Sequence, residues 1–135
     1  AVQPICQQSF CNMIGYVTIG VNDMEKARAF YTELLADLGA SLLMDMDRIA
    51  FIGTGMDAPM LSICVPYNED DPQPGNGNMV AVTAPSKGKV DELYQKALSM
   101  GATCEGEPGQ RVPDMFYGAY VRDPDGNKLA FYVFG

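Results

Sequence analysis

The 135-residue sequence contains no histidine and no tryptophan, and it has nine lysine and arginine residues against seventeen aspartate and glutamate residues. The resulting net charge of −8 argues against a nucleic-acid-binding protein, because binding to phosphates needs clustered lysine and arginine. An acidic chain can attract a cationic ligand, although acidity can also serve solubility alone. The absence of histidine removes a common ligand of metal sites.

Cysteine is also scarce, and its spacing does not indicate a metal site. The four cysteines are Cys6, Cys11, Cys64 and Cys104, and none of them forms a C-x-x-C pair. Without histidine, the usual kind of zinc site cannot be assembled from them. Cys6 and Cys11 could form a disulfide if oxidised, whereas Cys64 lies in an apolar stretch typical of a small core residue.

Long apolar runs are missing as well. No run approaches the roughly 20 residues that a membrane-spanning helix needs, and the first residues lack the pattern of a signal peptide. We therefore expect a cytoplasmic protein with no membrane or nucleic-acid partner. Residues 1–12 (AVQPICQQSFCN) do not resemble the rest. They are interpreted as a tag, an upstream extension or an arm that packs on a partner subunit.

From Met13 onward the sequence alternates between strand-like and helix-like patterns. Residues 14–21 alternate with period two and predict a strand, after which Asp23 is a candidate N-cap of a helix that ends at Gly39. Three further strands are predicted near 41–45, 48–53 and 59–65, followed by a surface loop over 67–78.

The same pattern then repeats with a period of about 63 residues. Residues 78–84 match 15–21, while Ser86 and Gly101 take the places of the earlier cap and terminating glycine. Further strands are predicted near 103–105, 115–122 and 127–134. Between the last two, Asp123–Asn127 (DPDGN) predicts a β-turn rather than a pair of catalytic carboxylates.

Three segments carry a resemblance to a known family. They are 16–31 (YVTIGVNDMEKARAFY), 75–82 (GNGNMVAV) and 117–129 (YGAYVRDPDGNKL). In this order and with the internal duplication, the chain resembles the vicinal oxygen chelate superfamily of glyoxalases, bleomycin-resistance proteins and extradiol dioxygenases. The resemblance implies a single α+β domain over 13–135, in which two βαβββ modules, about 13–66 and 78–135, form a curved mixed sheet around a cavity. It also implies a homodimer.

The resemblance places the superfamily's four metal-binding positions at Tyr16, Ser62, Met79 and Ala130. A phenol, a hydroxyl, a thioether and a methyl group are poor ligands for a divalent ion. We therefore expect a protein with no metal and no other cofactor. Isomerisation of the glyoxalase I type and extradiol cleavage both need a metal, so both are argued against.

Alternation along the strands predicts the side chains that line the cavity. The set consists of Tyr16, Thr18, Ser62, Met79, Ala81, Ala130 and Tyr132, with Arg111, Phe116, Tyr117 and Tyr120 at the rim. For the aromatic members, packing in the core is the alternative. An apolar pocket with a few hydroxyls favours burial of an organic molecule.

We therefore expect a protein that binds or sequesters a small organic molecule, cationic if net charge decides, as in the bleomycin-resistance branch. The alternative is a lyase, isomerase or other enzyme of the superfamily that acts on a small metabolite without a metal or at a non-standard site. In that enzyme Tyr16 or Tyr132 would be the acid or base, and Arg111 would stabilise an anion. A scaffold with a vestigial cavity is a third interpretation, and whether the chain is an enzyme stays open.

Overall fold

The computed structural model describes residues 13–135. Residues 1–12, interpreted as a tag, an extension or an arm, lie outside the described residues, and so do Cys6 and Cys11, which could form a disulfide if oxidised. Two compact units divide between Pro72 and Gln73, and each has the order β-α-β-β-β, which confirms the predicted α+β fold of two such modules. The first contains β1 (Tyr16–Gly20), α1 (Met24–Leu35), a short 3₁₀-helix (Ala36–Leu38), β2 (Ser41–Asp45), β3 (Ile49–Gly53) and β4 (Met60–Cys64). The second contains β5 (Val80–Thr83), α2 (Lys87–Ser99), β6 (Thr103–Val112), β7 (Phe116–Arg122) and β8 (Lys128–Phe134).

Each unit forms one four-stranded mixed sheet, and the two sheets have matching topology. The strand orders are β1-β4-β3-β2 and β5-β8-β7-β6, with the first two strands of each order parallel and the others antiparallel. Thr18 pairs with Ser62 in the first sheet, and Ala81 pairs with Ala130 in the second. Since the repeat aligns Thr18 with Ala81, Ser62 and Ala130 occupy equivalent positions.

Both helices begin at the predicted caps. The Asp23 carboxylate accepts a hydrogen bond from the Lys26 N–H at 3.1 Å, and the Ser86 hydroxyl accepts one from the Lys89 N–H at 3.1 Å. In α1 the apolar residues at helical spacing are buried, which places this stripe in the core of the unit. No helix between residues 13 and 135 is long and apolar enough to cross a membrane.

Strand β6 is longer than the sequence predicted. The prediction covered 103–105, but the strand continues to Val112 although Gly106, Pro108 and Gly109 are unfavourable in strands. It lies at the edge of its sheet. Proline is tolerated in an edge strand because its missing backbone N–H need not bond to a neighbouring strand. Its register against β7 also shifts three times. Arg111 lies in this irregular part of the strand, where a bulge changes the face to which a side chain points.

The predicted turn at Asp123–Asn127 is confirmed, and its first carboxylate is structural. Asp123 is only 4% exposed, and its Oδ1 accepts hydrogen bonds from the N–H groups of Asp125 at 2.9 Å and Asn127 at 2.8 Å. Gly126 takes a left-handed conformation with φ of 88°. The Asp123 carboxylate therefore stabilises the turn that connects β7 to β8.

Candidate functional site

In each sheet, one face packs on the helix of its own unit and the other is turned away from it, because successive side chains of a strand point to opposite sides. We call the second face the distal face. On the distal face of the first sheet, the Tyr16 ring meets the Phe51 ring edge-on, with centroids 4.9 Å apart. Phe51 pairs with Ser62, which pairs with Thr18. The structure therefore brings the predicted Tyr16, Thr18 and Ser62 to one face.

Burial varies across this face. Ser62 is fully buried and Phe51 is only 6% exposed, whereas Tyr16 is 53% exposed and Thr18 is also exposed. The described part of the chain offers the Ser62 Oγ no hydrogen-bond partner. A buried hydroxyl in that state costs about 1–3 kcal/mol.

The distal face of the second sheet carries three aromatic rings, which we call the aromatic wall: Phe116, Tyr132 and Phe134. Phe116 and Tyr132 are stacked, with centroids 5.4 Å apart and planes at 4°, and Phe134 meets Tyr132 edge-on at 5.1 Å. Gly118 makes this packing possible, because a Cβ there would lie 2.7 Å from Cε1 of Phe116. The sequence prediction omitted Phe134, although its spacing of two residues from Tyr132 indicates the same face.

Beside the wall lies a second group, which we call the Tyr120 cluster: Arg111, Tyr120 and Lys128. The Arg111 Cζ is 5.3 Å from the centroid of the Tyr120 ring, and the Lys128 Nζ is 5.2 Å from it. Lys128 was not among the predicted site residues, yet it stands two residues before Ala130 on the same strand. Ala130 pairs with Tyr120 and is fully buried.

Tyr117 does not share this face, contrary to the prediction. It follows Phe116 directly in β7, so the two side chains must point to opposite sides of the sheet. The Tyr117 hydroxyl donates to Asp91 of α2 at 2.7 Å, and the Lys87 Nζ of α2 lies 5.6 Å from its ring centroid. The hydrogen bond to Asp91, aided by burial, raises the pKa of Tyr117. Tyr117 therefore packs between the sheet and α2 and contacts the helix directly.

The remaining predicted residues lie at the start of the second sheet. Ala81 pairs with Ala130 across the parallel strands β5 and β8. Met79 comes immediately before β5 and is 44% exposed. Ala81 and Ala130 contribute only methyl groups, which cannot orient a ligand by hydrogen bonds.

The side chains at the four positions assigned to metal ligands do not fit a divalent ion. Tyr16, Ser62, Met79 and Ala130 supply no imidazole, carboxylate or thiolate, which are the groups that such ions prefer. Within residues 13–135, no three histidine, cysteine, aspartate or glutamate side chains are grouped as a metal site requires.

Comparisons with known proteins agree with this architecture. The model of the Glyoxalase/Bleomycin resistance protein/Dioxygenase superfamily matches residues 13–131. A glyoxalase/bleomycin resistance protein from Albidiferax ferrireducens T118 is 33% identical, with a TM-score of 0.80 over 90% of this chain and 98% of that one. No curated protein matches the sequence.

Two more distant structures share the fold alone. A glyoxalase-related enzyme from Fulvimarina pelagi is 20% identical, with a TM-score of 0.72 over 89% of this chain and 86% of that one. A lactoylglutathione lyase from Agrobacterium tumefaciens is 22% identical, with a TM-score of 0.65 over 89% of this chain and 92% of that one.

Proposed function

Since the chain belongs to the Glyoxalase/Bleomycin resistance protein/Dioxygenase superfamily, we propose that it binds a small organic molecule on the distal face of its second sheet, without a metal ion. The aromatic wall is the observation that carries this proposal. Its three rings face away from α2, so the packing of the helix does not use them. Phe134 is 72% exposed and could stack on a ligand ring. Aromatic pairs contribute about 0.5–1.5 kcal/mol beyond their burial.

The side chains around the wall favour binding over catalysis. Acid–base chemistry at neutral pH needs a group that can take a proton, and tyrosine has a reference pKa of about 10. On the distal face of the second sheet, the carboxylate of Glu105 is already paired with Arg122, whose Nε lies 2.8 Å from its Oε1. Among the described residues of this face, we find no two side chains placed to act together as a general acid and a general base. Sequestration of an organic molecule is therefore the function that the site supports best.

Removal of the exposed ring tests the proposal. We expect the neutral probe 2-naphthamide to bind the wild-type protein and to bind Phe134→Ala roughly fivefold to tenfold more weakly, because one wall of the stacking surface is lost. Isothermal titration calorimetry measures both affinities. Tyr67→Ala is the matched control, since this ring of the first unit is 88% exposed and lies outside the wall.

Two results would contradict the proposal. Equal affinity of Phe134→Ala and wild type would show that the wall is not the binding surface. Loss of binding after treatment with a chelator would show that a metal ion takes part.

A further inference from the structure

Two cations of the second sheet lie over a single aromatic ring. The Arg111 Cζ is 5.3 Å and the Lys128 Nζ 5.2 Å from the centroid of the Tyr120 ring. In the described part of the chain neither forms an ion pair. By contrast, Arg28 pairs with Asp45 at 2.7 Å, and Arg122 pairs with Glu105. The positive charges of Arg111 and Lys128 repel each other, and an anion bound between or beside them would offset this repulsion.

We propose that Arg111 and Lys128 bind an anionic group of the ligand, such as a carboxylate, while the aromatic wall binds its ring. This inference rests on the proposed function and adds the charge and the orientation of the ligand. A guanidinium has five N–H donors, and one donor of Arg111 is used by the Glu107 carbonyl. Enough donors remain for a carboxylate.

The position of Arg111 depends on two glycines of β6. A Cβ at Gly106 would lie 2.8 Å from Cδ2 of Tyr120 and 3.2 Å from Nη2 of Arg111, and a Cβ at Gly109 would lie 3.2 Å from Nη1 of Arg111. The guanidinium and the tyrosine ring therefore rest against the strand where side chains are missing. Such placement lowers the entropy lost when a ligand binds.

The wall and the cluster are close enough for one small molecule to contact both. Tyr120 pairs with Ala130, and the next pair on this face, Gly118 with Tyr132, belongs to the wall. Two residues along a strand span about 7 Å, roughly the length of a bicyclic aromatic ring. A ring stacked on Tyr132 would thus place a carboxylate substituent near Arg111 and Lys128.

The local charge differs in sign from that of the whole chain. Net charge of −8 favours a cationic ligand, but the carboxylate of Glu105 on this sheet is already paired with Arg122 at 2.8 Å. A molecule on the distal face therefore meets two cations.

Three probes that share one ring system and differ in charge test the inference: 2-naphthoate, 2-naphthamide and 2-naphthylmethylammonium. We expect 2-naphthoate to bind roughly tenfold more tightly than the amide, and the ammonium compound to bind most weakly. Arg111→Gln and Lys128→Gln should each weaken naphthoate binding about fivefold and leave the amide unchanged. Calorimetry at two salt concentrations should show that only naphthoate binding is salt-dependent.

Matched controls separate local from overall charge. Arg48→Gln and Lys87→Gln remove the same charges from cations that lie over other rings, Tyr67 and Tyr117, and should leave naphthoate affinity unchanged. Gly106→Ala keeps both charges but should displace the Arg111 guanidinium. It should therefore weaken the binding of 2-naphthoate and leave the binding of 2-naphthamide unchanged. Circular dichroism checks that each variant is folded.

The outcomes distinguish the two proposals. Equal binding of naphthoate and naphthamide, with no effect of Arg111→Gln, would overturn the charge assignment and leave the aromatic wall as the binding surface. Tightest binding of the ammonium probe would also overturn it. If none of the three probes binds, the proposed function fails, and this inference fails with it.

Discussion

At the scale of single residues, the second sheet shows how missing side chains shape the proposed binding surface. Gly118 leaves space for the ring of Phe116, and Gly106 leaves space for Tyr120 and Arg111. In both cases a methyl group would come within 3 Å of the neighbouring ring. The distal face therefore depends on glycine as much as on the aromatic residues.

Tyr94 of α2 gives a prediction on pH dependence. Its hydrogen bond with Cys104, followed by burial and by the charges of Cys104 and Glu107, raises the pKa of Tyr94 to about 12. The folded state therefore keeps this proton at a pH where the unfolded chain, with a reference pKa of about 10, has lost it. The stabilising effect is complete below about pH 10 and is lost as pH rises toward 12.

We expect the melting temperature to fall between pH 9.5 and 11.5, and to fall less steeply in Tyr94→Phe, which has no proton to lose. Thermal melts followed by circular dichroism measure both slopes. Tyr67→Phe, which alters an exposed ring, should retain the wild-type slope. An unchanged slope in Tyr94→Phe would contradict the assignment.

At the scale of secondary-structure elements, the connection between β7 and β8 depends on one buried carboxylate. We expect Asp123→Ala to lower the free energy of unfolding by about 2–4 kcal/mol, because the N–H groups of Asp125 and Asn127 lose their acceptor. Urea denaturation measures this change. Asp71→Ala, in an exposed loop, should change stability by less than about 0.5 kcal/mol. Similar effects of the two substitutions would argue against a structural role of Asp123.

The helices and strands of both units were largely predictable from the sequence. Alternation and helix caps predicted both modules, because apolar spacing and the Asp23 and Ser86 side chains act locally. Lys128 and Phe134 follow the same alternation as Ala130 and Tyr132, so they could have been found.

Strand β6 could not be predicted in this way. Gly106 and Arg111 are five residues apart, which simple alternation would place on opposite faces, yet the Arg111 guanidinium lies against Gly106. The register shifts of β6 change the alternation, and they depend on pairing with β7 rather than on local sequence. Arg111 and Tyr120 were both expected at the rim of the site, but the contact between the Arg111 guanidinium and the Tyr120 ring depends on this pairing.

At the scale of the whole molecule, the resemblance to the superfamily predicts a homodimer, and an exposed apolar edge agrees with it. Strand β1 lies at the edge of its sheet, with Tyr16 53% and Val17 40% exposed. Such edges pair readily with another chain. We expect light scattering to give about twice the monomer mass of 14.6 kDa, and Val17→Lys to shift the protein toward monomer.

Tyr67→Lys places the same charge on an exposed loop residue and should leave the mass unchanged. A monomeric wild-type protein would contradict the prediction. A dimer that Val17→Lys leaves intact would place the interface elsewhere.

We propose that this chain binds an aromatic organic molecule through its own side chains, without a metal ion. The most direct test of such binding is calorimetric titration of 2-naphthoate into the protein before and after dialysis against a chelator. We predict saturable binding with the same affinity in both samples. Binding that disappears on chelation and returns when a divalent ion is added would contradict the claim.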